Sequence, residues 1–192
     1  MSEIAGAVRL QDMSSQAVLS GVDRTAVGSD AANVLEALYL THREAVFRYL
    51  RAISRDEDRA LDLTAVTFER AFGELRAGRE PGIGWLLRTA RNAAIDADRR
   101  ARAAVLFHWH VATAAPVAPS LEDQMLRAEQ AARLHAGLQA LPRSQRDAIA
   151  LRYTSELTVR EIAAVIGKSP SATQKLLDRG LARLKEALHD LA

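Results

Sequence analysis

The sequence predicts an all-α fold: two small helical domains joined by a linker, the C-terminal one a helix-turn-helix. Three observations lead there. Apolar residues recur at helical intervals over three successive stretches between Asn33 and Arg102, the spacing that gathers one buried face on a helix. A stretch rich in Ala and Val with two Pro and few charges, AAVLFHWHVATAAPVAPS at 103–120, then interrupts the pattern. Beyond it a Thr-x-x-Glu box, a glycine and a Ser-Pro pair mark a helix start, a stop and an immediate restart. The expected organisation is a mobile N-terminal tail at 1–30, a first domain at 31–103, a linker at 104–126 and a second domain at 127–192.

Residues 1–30 mix Ser, Ala, Gly and Asp without periodicity, leaving room for one short helix at most. From Asn33, Leu35, Leu38, Val46, Tyr49, Leu50 and Ile53 keep helical spacing, with Arg43, Glu44, Arg48 and Arg51 on the opposite side. The charged run from Ser54 to Asp58 breaks this helix, and a second carries Leu61, Thr64, Phe68, Ala71, Phe72 and Leu75. Three Gly and a Pro make 76–84 a loop. A third helix is expected from near Trp85 through Leu86, Leu87, Ala90 and Ile95 to Arg102.

In the linker, the LFHWH island reads as apolar surface lying against something. His108 and His110 have no acidic or Cys partner nearby, so no metal is expected. Ser120 with Asp123 makes a weak N-cap for a helix ending near Leu141-Pro142, and Ser144 starts the next. Thr158 and Glu161 form a capping box, Gly167 ends that helix in a left-handed conformation, and Ser169-Pro170 restarts the chain as N-cap and first helical residue. The last helix turns Thr173, Leu176, Leu177, Gly180, Leu181, Leu184 and Leu188 inward. Helix, tight glycine turn, helix is a helix-turn-helix, although a helical hairpin that merely packs has the same outline.

Composition narrows the function. The chain of 192 residues has no cysteine, which excludes disulfides, iron–sulfur clusters and a cysteine nucleophile. Neither a basic start with an apolar run nor an uninterrupted apolar span appears, so the expectation is a cytoplasmic protein without membrane insertion. No GxxxxGK[ST], GxSxG or HExxH motif occurs; no enzyme and no cofactor is expected. The net charge of +2 is unevenly spread: −2 over 1–30, +2 over 31–103, −2 over 104–132 and +4 over 133–192. Two basic blocks suit a polyanionic partner and suit an ordinary solvated surface equally.

DNA binding has a physical mechanism in these residues. A helix starting at Ser169 offers free amides and a positive dipole end to phosphate. Ser171, Gln174, Lys175, Asp178 and Arg179 lie on its polar side, where the first two turns reach base edges. Gln can pair with adenine and Lys with guanine, while Arg160, Lys168 and Arg179 are better placed for phosphates. Asp178 either accepts from cytosine or orients Arg179.

Leu141-Pro-Arg-Ser-Gln-Arg-Asp through Leu151-Arg-Tyr, Leu157-Thr-Val-Arg-Glu-Ile-Ala and Arg179-Gly-Leu-Ala-Arg-Leu together resemble the −35-binding fourth domain of bacterial sigma factors. Asp62-Leu-Thr-Ala-Val-Thr-Phe-Glu-Arg-Ala and Trp85-Leu-Leu-Arg-Thr-Ala-Arg-Asn-Ala-Ala-Ile-Asp resemble the second sigma domain. Both in this order resemble an extracytoplasmic-function (ECF) sigma factor over roughly 34–102 and 133–188. The resemblance implies a protein that binds core RNA polymerase, directs it to promoter DNA and helps melt the −10 region, with an anti-sigma factor as a further partner.

The resemblance also implies roles. Asp62, Leu63, Ala65, Val66 and Phe68 would face core polymerase. Loop 76–84 and the start of the third helix would capture an unstacked −10 base, with Asn92 in that pocket and Trp85 beside it; Asn92 reads equally as a surface residue and Trp85 as core. Arg88, Arg91, Arg99 and Arg100 suit −10 phosphates, with Asp96 and Asp98 offsetting some charge. Ser169, Ser171, Gln174, Lys175, Arg160, Lys168 and Arg179 form the −35 set. Three features depart from the family: Ala65-Val66 where Gln-Glu is frequent, Gly82-Ile83-Gly84 where an aromatic commonly precedes the Trp, and Gln174 and Leu176 where basic residues are frequent. They leave open a degenerate sigma mimic that binds an anti-sigma factor, or a stand-alone helix-turn-helix regulator.

Overall fold

The computed structural model of the chain describes residues 24–54, 56–105 and 122–189, and every regular element among them is an α-helix. The first unit comprises α1 (Arg24–Ile53), α2 (Glu57–Arg76) and α3 (Ile83–Val105). The second comprises α4 (Glu122–Ala140), α5 (Arg143–Thr154), α6 (Val159–Ile166) and α7 (Pro170–His189).

Helix α1 begins inside the stretch expected to be tail, α3 begins two residues before Trp85, and α4 begins inside the expected 104–126 linker. Helical periodicity marks where a helix becomes amphipathic, not where its backbone starts, so the start of α1 at Arg24 escapes it, while α3 and α4 start within two residues of Trp85 and of the Ser120 cap. Residues 1–23 and 106–121 lie outside the described residues, and with them the LFHWH island, His108, His110 and the Ser120 cap.

The charged break before α2 is its cap: the Asp56 carboxylate accepts the Arg59 amide at 2.7 Å, with Glu57 and Asp58 in the positive first turn. From there Ala60, Leu63, Thr67, Phe68, Ala71 and Leu75 form one buried stripe against α1 and α3. Helix α1 contributes Val46, Tyr49 and Leu50, and α3 contributes Leu86, Leu87, Ala90, Ala93 and Ala94. The Tyr39 ring meets Phe68 edge-on at 4.9 Å between centroids.

The second unit follows its punctuation closely. The Thr158 hydroxyl accepts the Glu161 amide at 3.4 Å, while the Glu161 carboxylate accepts the Thr158 amide at 2.8 Å and its hydroxyl at 2.7 Å. Gly167 takes φ 70°, ψ 42°, a left-handed turn that a residue with a Cβ resists. Helix α7 then crosses α5 at Gly180, where an added Cβ would come within 2.7 Å of Ile149 Cδ1 and 3.3 Å of Gln145 Cβ. Thr173, Leu177, Gly180 and Leu184 point inward as expected; Leu176 and Leu188 are half-buried. Leu181, expected inward, is 40% exposed, because it stands one residue, about 100° of helical rotation, off the buried line of Thr173, Leu177, Gly180 and Leu184.

The two units pack on each other. Helix α1 lies against α4 and α5, and α3 against α6, so that Val46 and Leu87 belong to one contiguous buried cluster with Leu151, Leu157 and Ile162.

The capping box supports two expected outcomes. Thr158→Ala should cost about 0.5–2 kcal/mol in urea denaturation, the usual loss for a Ser/Thr cap. The Glu161 carboxyl is held below its usual range by the hydrogen bond from the Thr158 hydroxyl, then by that from the Thr158 amide. A depressed folded pKa contributes stability above the ordinary glutamate value and loses it as pH falls through the folded one. Glu161→Gln should therefore flatten the acid limb of the stability profile, read from urea midpoints between neutral and strongly acidic pH.

Candidate nucleic-acid interface

Helix α7 owes its start to local chemistry. The Ser169 hydroxyl accepts the Ala172 amide at 3.2 Å, and the buried Thr173 hydroxyl donates to the Ser169 carbonyl at 2.9 Å, pinning the first turn to the core. With Thr173 and Leu177 facing inward, Gln174 and Lys175 are exposed, as are Arg160, Lys168, Ser169, Ser171 and Arg179. The −35 set thus lies entirely on the solvent side of the α6–α7 motif, with Lys168, Ser169 and Ser171 at the positive end of α7.

Asp178 has a different partner from either expected one. Its carboxylate accepts from Gln174 Nε2 at 2.8 Å. An ionised carboxylate only accepts, so the Gln174 amide is turned with its carbonyl oxygen free.

On α3 the −10 set divides by helix face. Arg88, Asn92 and Arg99 share an exposed face, and Arg99 pairs with Asp96 at 3.4 Å. Arg100 is exposed and donates to the Asp96 carbonyl at 3.3 Å. Trp85 is half-buried and packs on the core cluster. Arg91 points elsewhere: its Nε donates to Asp147 Oδ2 at 2.8 Å, leaving the arginine side chain 19% exposed and the aspartate 1%.

Asp147 on α5 and Asp98 on α3 make reciprocal bridges between the units. Asp98 accepts from Arg143 of α5 at 2.9 Å and from Arg59 of its own unit. Gln139 of α4 donates to the Ala52 and Ser54 carbonyls at 3.2 and 2.9 Å, satisfying the end of α1. The Tyr49 hydroxyl and Asp147 Oδ1 are buried without a hydrogen bond of good geometry. Burial first, then the Asp147 charge, pushes the Tyr49 phenol well above its ordinary range, so it stays neutral.

Of the residues expected to face core polymerase, Asp62 and Ala65 are exposed on α2 and Val66 is half-buried. Leu63 and Phe68 are buried and shape that surface from beneath. Leu61, expected on the apolar stripe of α2, is 52% exposed, because that stripe runs through Ala60, Leu63 and Thr67 instead; Leu40, which sequence reasoning did not single out, is 76% exposed. Sequence reasoning also missed Asp147, Arg143 and Gln139. The signal for Asp147 was present: an acid inside the otherwise buried run Asp-Ala-Ile-Ala-Leu, a position that only a partnered carboxylate holds.

Among the described residues no group of three or more His, Cys, Asp or Glu is placed to hold a metal ion, and no helix is long and apolar enough to cross a membrane. Residues 38–104 match the family described as Sigma-70 region 2, and residues 131–184 match Sigma-70, region 4. The chain is 30% identical over 188 residues to the ECF RNA polymerase sigma factor BldN of Streptomyces coelicolor, covering 93% of this chain and 69% of that protein. It is 34% identical over 166 residues to the RNA polymerase sigma factor CarQ of Myxococcus xanthus, covering 84% and 92%. Its fold is that of CnrH in complex with the cytosolic domain of CnrY, with a TM-score of 0.61, 23% identity and coverage of 86% of this chain and 97% of that one. It is also that of the sigma factor RpoE bound to the anti-sigma factor NepR from Bartonella quintana, with a TM-score of 0.62, 24% identity and coverage of 80% and 96%. With region 2 carried by α1–α3 and region 4 by the helix-turn-helix of α5–α7, the chain belongs to the ECF sigma factors, DNA-binding proteins of transcription initiation that act with RNA polymerase.

Proposed function

We propose that this chain binds core RNA polymerase in the cytoplasm, directs it to specific promoters through its two basic units and helps melt the −10 region. The observation that carries the reading is α7: its start is set by Ser169-Pro170, and it holds Gln174 and Lys175 outward at the end where phosphate is favoured. The role asks for no catalysis by the chain, since bond formation belongs to the polymerase. Reconstitution with core polymerase and sequencing of transcripts initiated on genomic DNA tests it. Discrete start sites sharing upstream elements support the reading, and core binding without initiation refutes it.

In region 4, Gln174 and Lys175 read bases while Arg160 and Lys168 hold phosphate. Replacing either reader with Ala should cost about 1–3 kcal/mol and relax one or two −35 positions in a promoter-library selection. Replacing Arg160 or Lys168 should weaken binding almost uniformly and flatten the salt dependence. Unchanged −35 preferences in both reader variants would remove α7 from the specificity argument.

In region 2, exposed Asn92 contacts a displaced −10 base. Asn92→Ala should impair opening of duplex promoters, and a pre-melted bubble should recover only part of the activity, because unstacking is bypassed while base reading is still lost. Identical permanganate footprints for both proteins would place Asn92 outside the pocket.

A second reading is a sigma mimic that captures an anti-sigma factor. Exposed Ala65 and half-buried Val66 favour it, since they put no polar group on the α2 surface assigned to core polymerase. Under the sigma reading these two residues only weaken that contact, and Ala65→Gln with Val66→Glu should tighten core binding in a fluorescence titration. A chain with no core affinity, with or without that pair, is the mimic.

A further inference from the structure

Asp178 puts an anion on the outer face of α7, beside exposed Gln174, Lys175 and Arg179, where it works against the binding of phosphate. Among the described residues it pairs with no cation, although Lys175 and Arg179 are its neighbours on the helix. Its carboxylate instead accepts from Gln174 Nε2 at 2.8 Å. We propose that Asp178 is a positioning residue for base reading: by holding one N–H of the Gln174 amide, it makes the subsite that Gln174 reads specific for adenine and closes it to guanine. The inference rests on the sigma reading for the DNA and deepens it, while its chemistry rests on the contact within α7.

A Gln amide has two N–H donors and one carbonyl acceptor. With one N–H given to Asp178, one donor and one acceptor remain. Adenine presents their complement in the major groove, the N7 acceptor and the N6 amino donor. Guanine presents two acceptors, O6 and N7. Meeting both would take two donors, one of which Asp178 holds, and would set the Gln174 carbonyl oxygen against an acceptor of the base. Reversing the amide does not help, because it points that oxygen at the carboxylate, two acceptors with no proton between them. Cytosine and thymine each present one polar group there. Adenine thus receives two bonds, and every other base receives one at most.

The helix sets this up locally. Residues four apart share a line along it, and their side chains lean toward its N-terminus, so Asp178 reaches Gln174 from behind. Gln174 lies one turn nearer the end that enters the groove. Rotation of α7 is fixed by buried Thr173, Leu177 and Leu184 and by Gly180, where an added Cβ would come within 2.7 Å of Ile149 Cδ1. On a solvated helix a Gln–Asp bond of this kind is weak. Desolvation in the groove strengthens it, since water no longer competes for the carboxylate. An amide ordered beforehand also loses less rotamer freedom on binding. The electrostatic penalty of an anion near phosphates falls on all sequences alike, so Asp178 exchanges general affinity for selectivity.

Two measurements test this. In nitrogen–proton correlation spectra of the full chain alone, Asp178→Ala should shift one of the two Gln174 side-chain amide protons upfield and leave the other nearly unmoved. Unchanged resonances overturn the proposal before any DNA is added. In holoenzyme assembled with core polymerase, a promoter library randomised over the −35 element is then selected with the parent and with Gln174→Ala, Asp178→Asn and Asp178→Glu. The parent should select adenine at the position that Gln174→Ala relaxes. Asp178→Asn, whose own amide meets that of Gln174 in either orientation, should lower the adenine-to-guanine ratio there about fivefold or more, the lower end of what a bidentate contact discriminates. Asp178→Glu keeps a carboxylate within reach and should keep most of the preference. Combined with Gln174→Ala, Asp178→Asn should change nothing further at that position. A parent that selects another base there, or a library that Gln174→Ala relaxes nowhere, overturns the proposal. So does an Asp178→Asn chain that binds every sequence more tightly with its adenine preference intact, which would make Asp178 an electrostatic brake alone. Transcript mapping scores the sigma reading separately: discrete start sites with the ratio unmoved by Asp178→Asn refute the positioning role alone. A chain that binds no core polymerase refutes the sigma reading, and the same library selected on the chain by itself then decides the ratios; a chain that binds no duplex in either form overturns both.

Discussion

The burial of α1 organises everything else. Val46, Tyr49 and Leu50 are fully excluded from water, and the helix is covered by α2 and α3 on one side and by α4 and α5 on the other. Burying side chains of this size is worth about 1.5–3 kcal/mol each, and no single neighbour suffices to cover the helix. A helix apolar on two sides is an element that needs both units, which is why one contiguous core runs through a chain that reads as two modules.

Polar chemistry decides how the two halves meet on that helix. Apolar burial is non-directional and tolerates sliding; the reciprocal bridges of Arg91 with Asp147 and of Arg143 with Asp98 do not. Their cost in desolvation means they add little net stability, and their value is in specifying register. The Gln139 amide at the end of α1 acts in the same sense, because it reaches the carbonyl of Ala52 in the last turn and that of Ser54 just past it. Hydrophobic burial thus supplies the adhesion between regions 2 and 4, and charge supplies its geometry.

The residues proposed to face DNA obey the opposite logic. Gln174, Lys175, Arg88 and Asn92 are exposed, and each sits one or two positions from a buried neighbour that fixes its direction: Thr173 and Leu177 on α7, Leu87 and Ala93 on α3. The side chains proposed to read bases are held by what lies beneath them. The hydrogen bond from Gln174 to Asp178 extends this to the surface, limiting which edge of the amide a base can meet.

Local signals determined much of this protein. The capping box at Thr158 and Glu161, the left-handed Gly167 and the Ser169-Pro170 restart each act within a few residues, and all three are present as the sequence predicts; they set the helix-turn-helix and the outward direction of Gln174 and Lys175. Periodicity placed the stripes of α2 and α3 for the same reason, since i, i+3 and i, i+4 neighbours meet within one helix whatever lies around it. The helix start at Arg24 escaped, as did the outward turns of Leu61 and Leu181, because burial depends on what another helix covers. The pairing of Arg91 with Asp147 joins residues far apart in the chain, and no intrahelical spacing encodes which residue of α5 stands opposite which residue of α3. Only the packing of α5 on α1 decided that, turning one of four similar arginines from a surface cation into a buried partner.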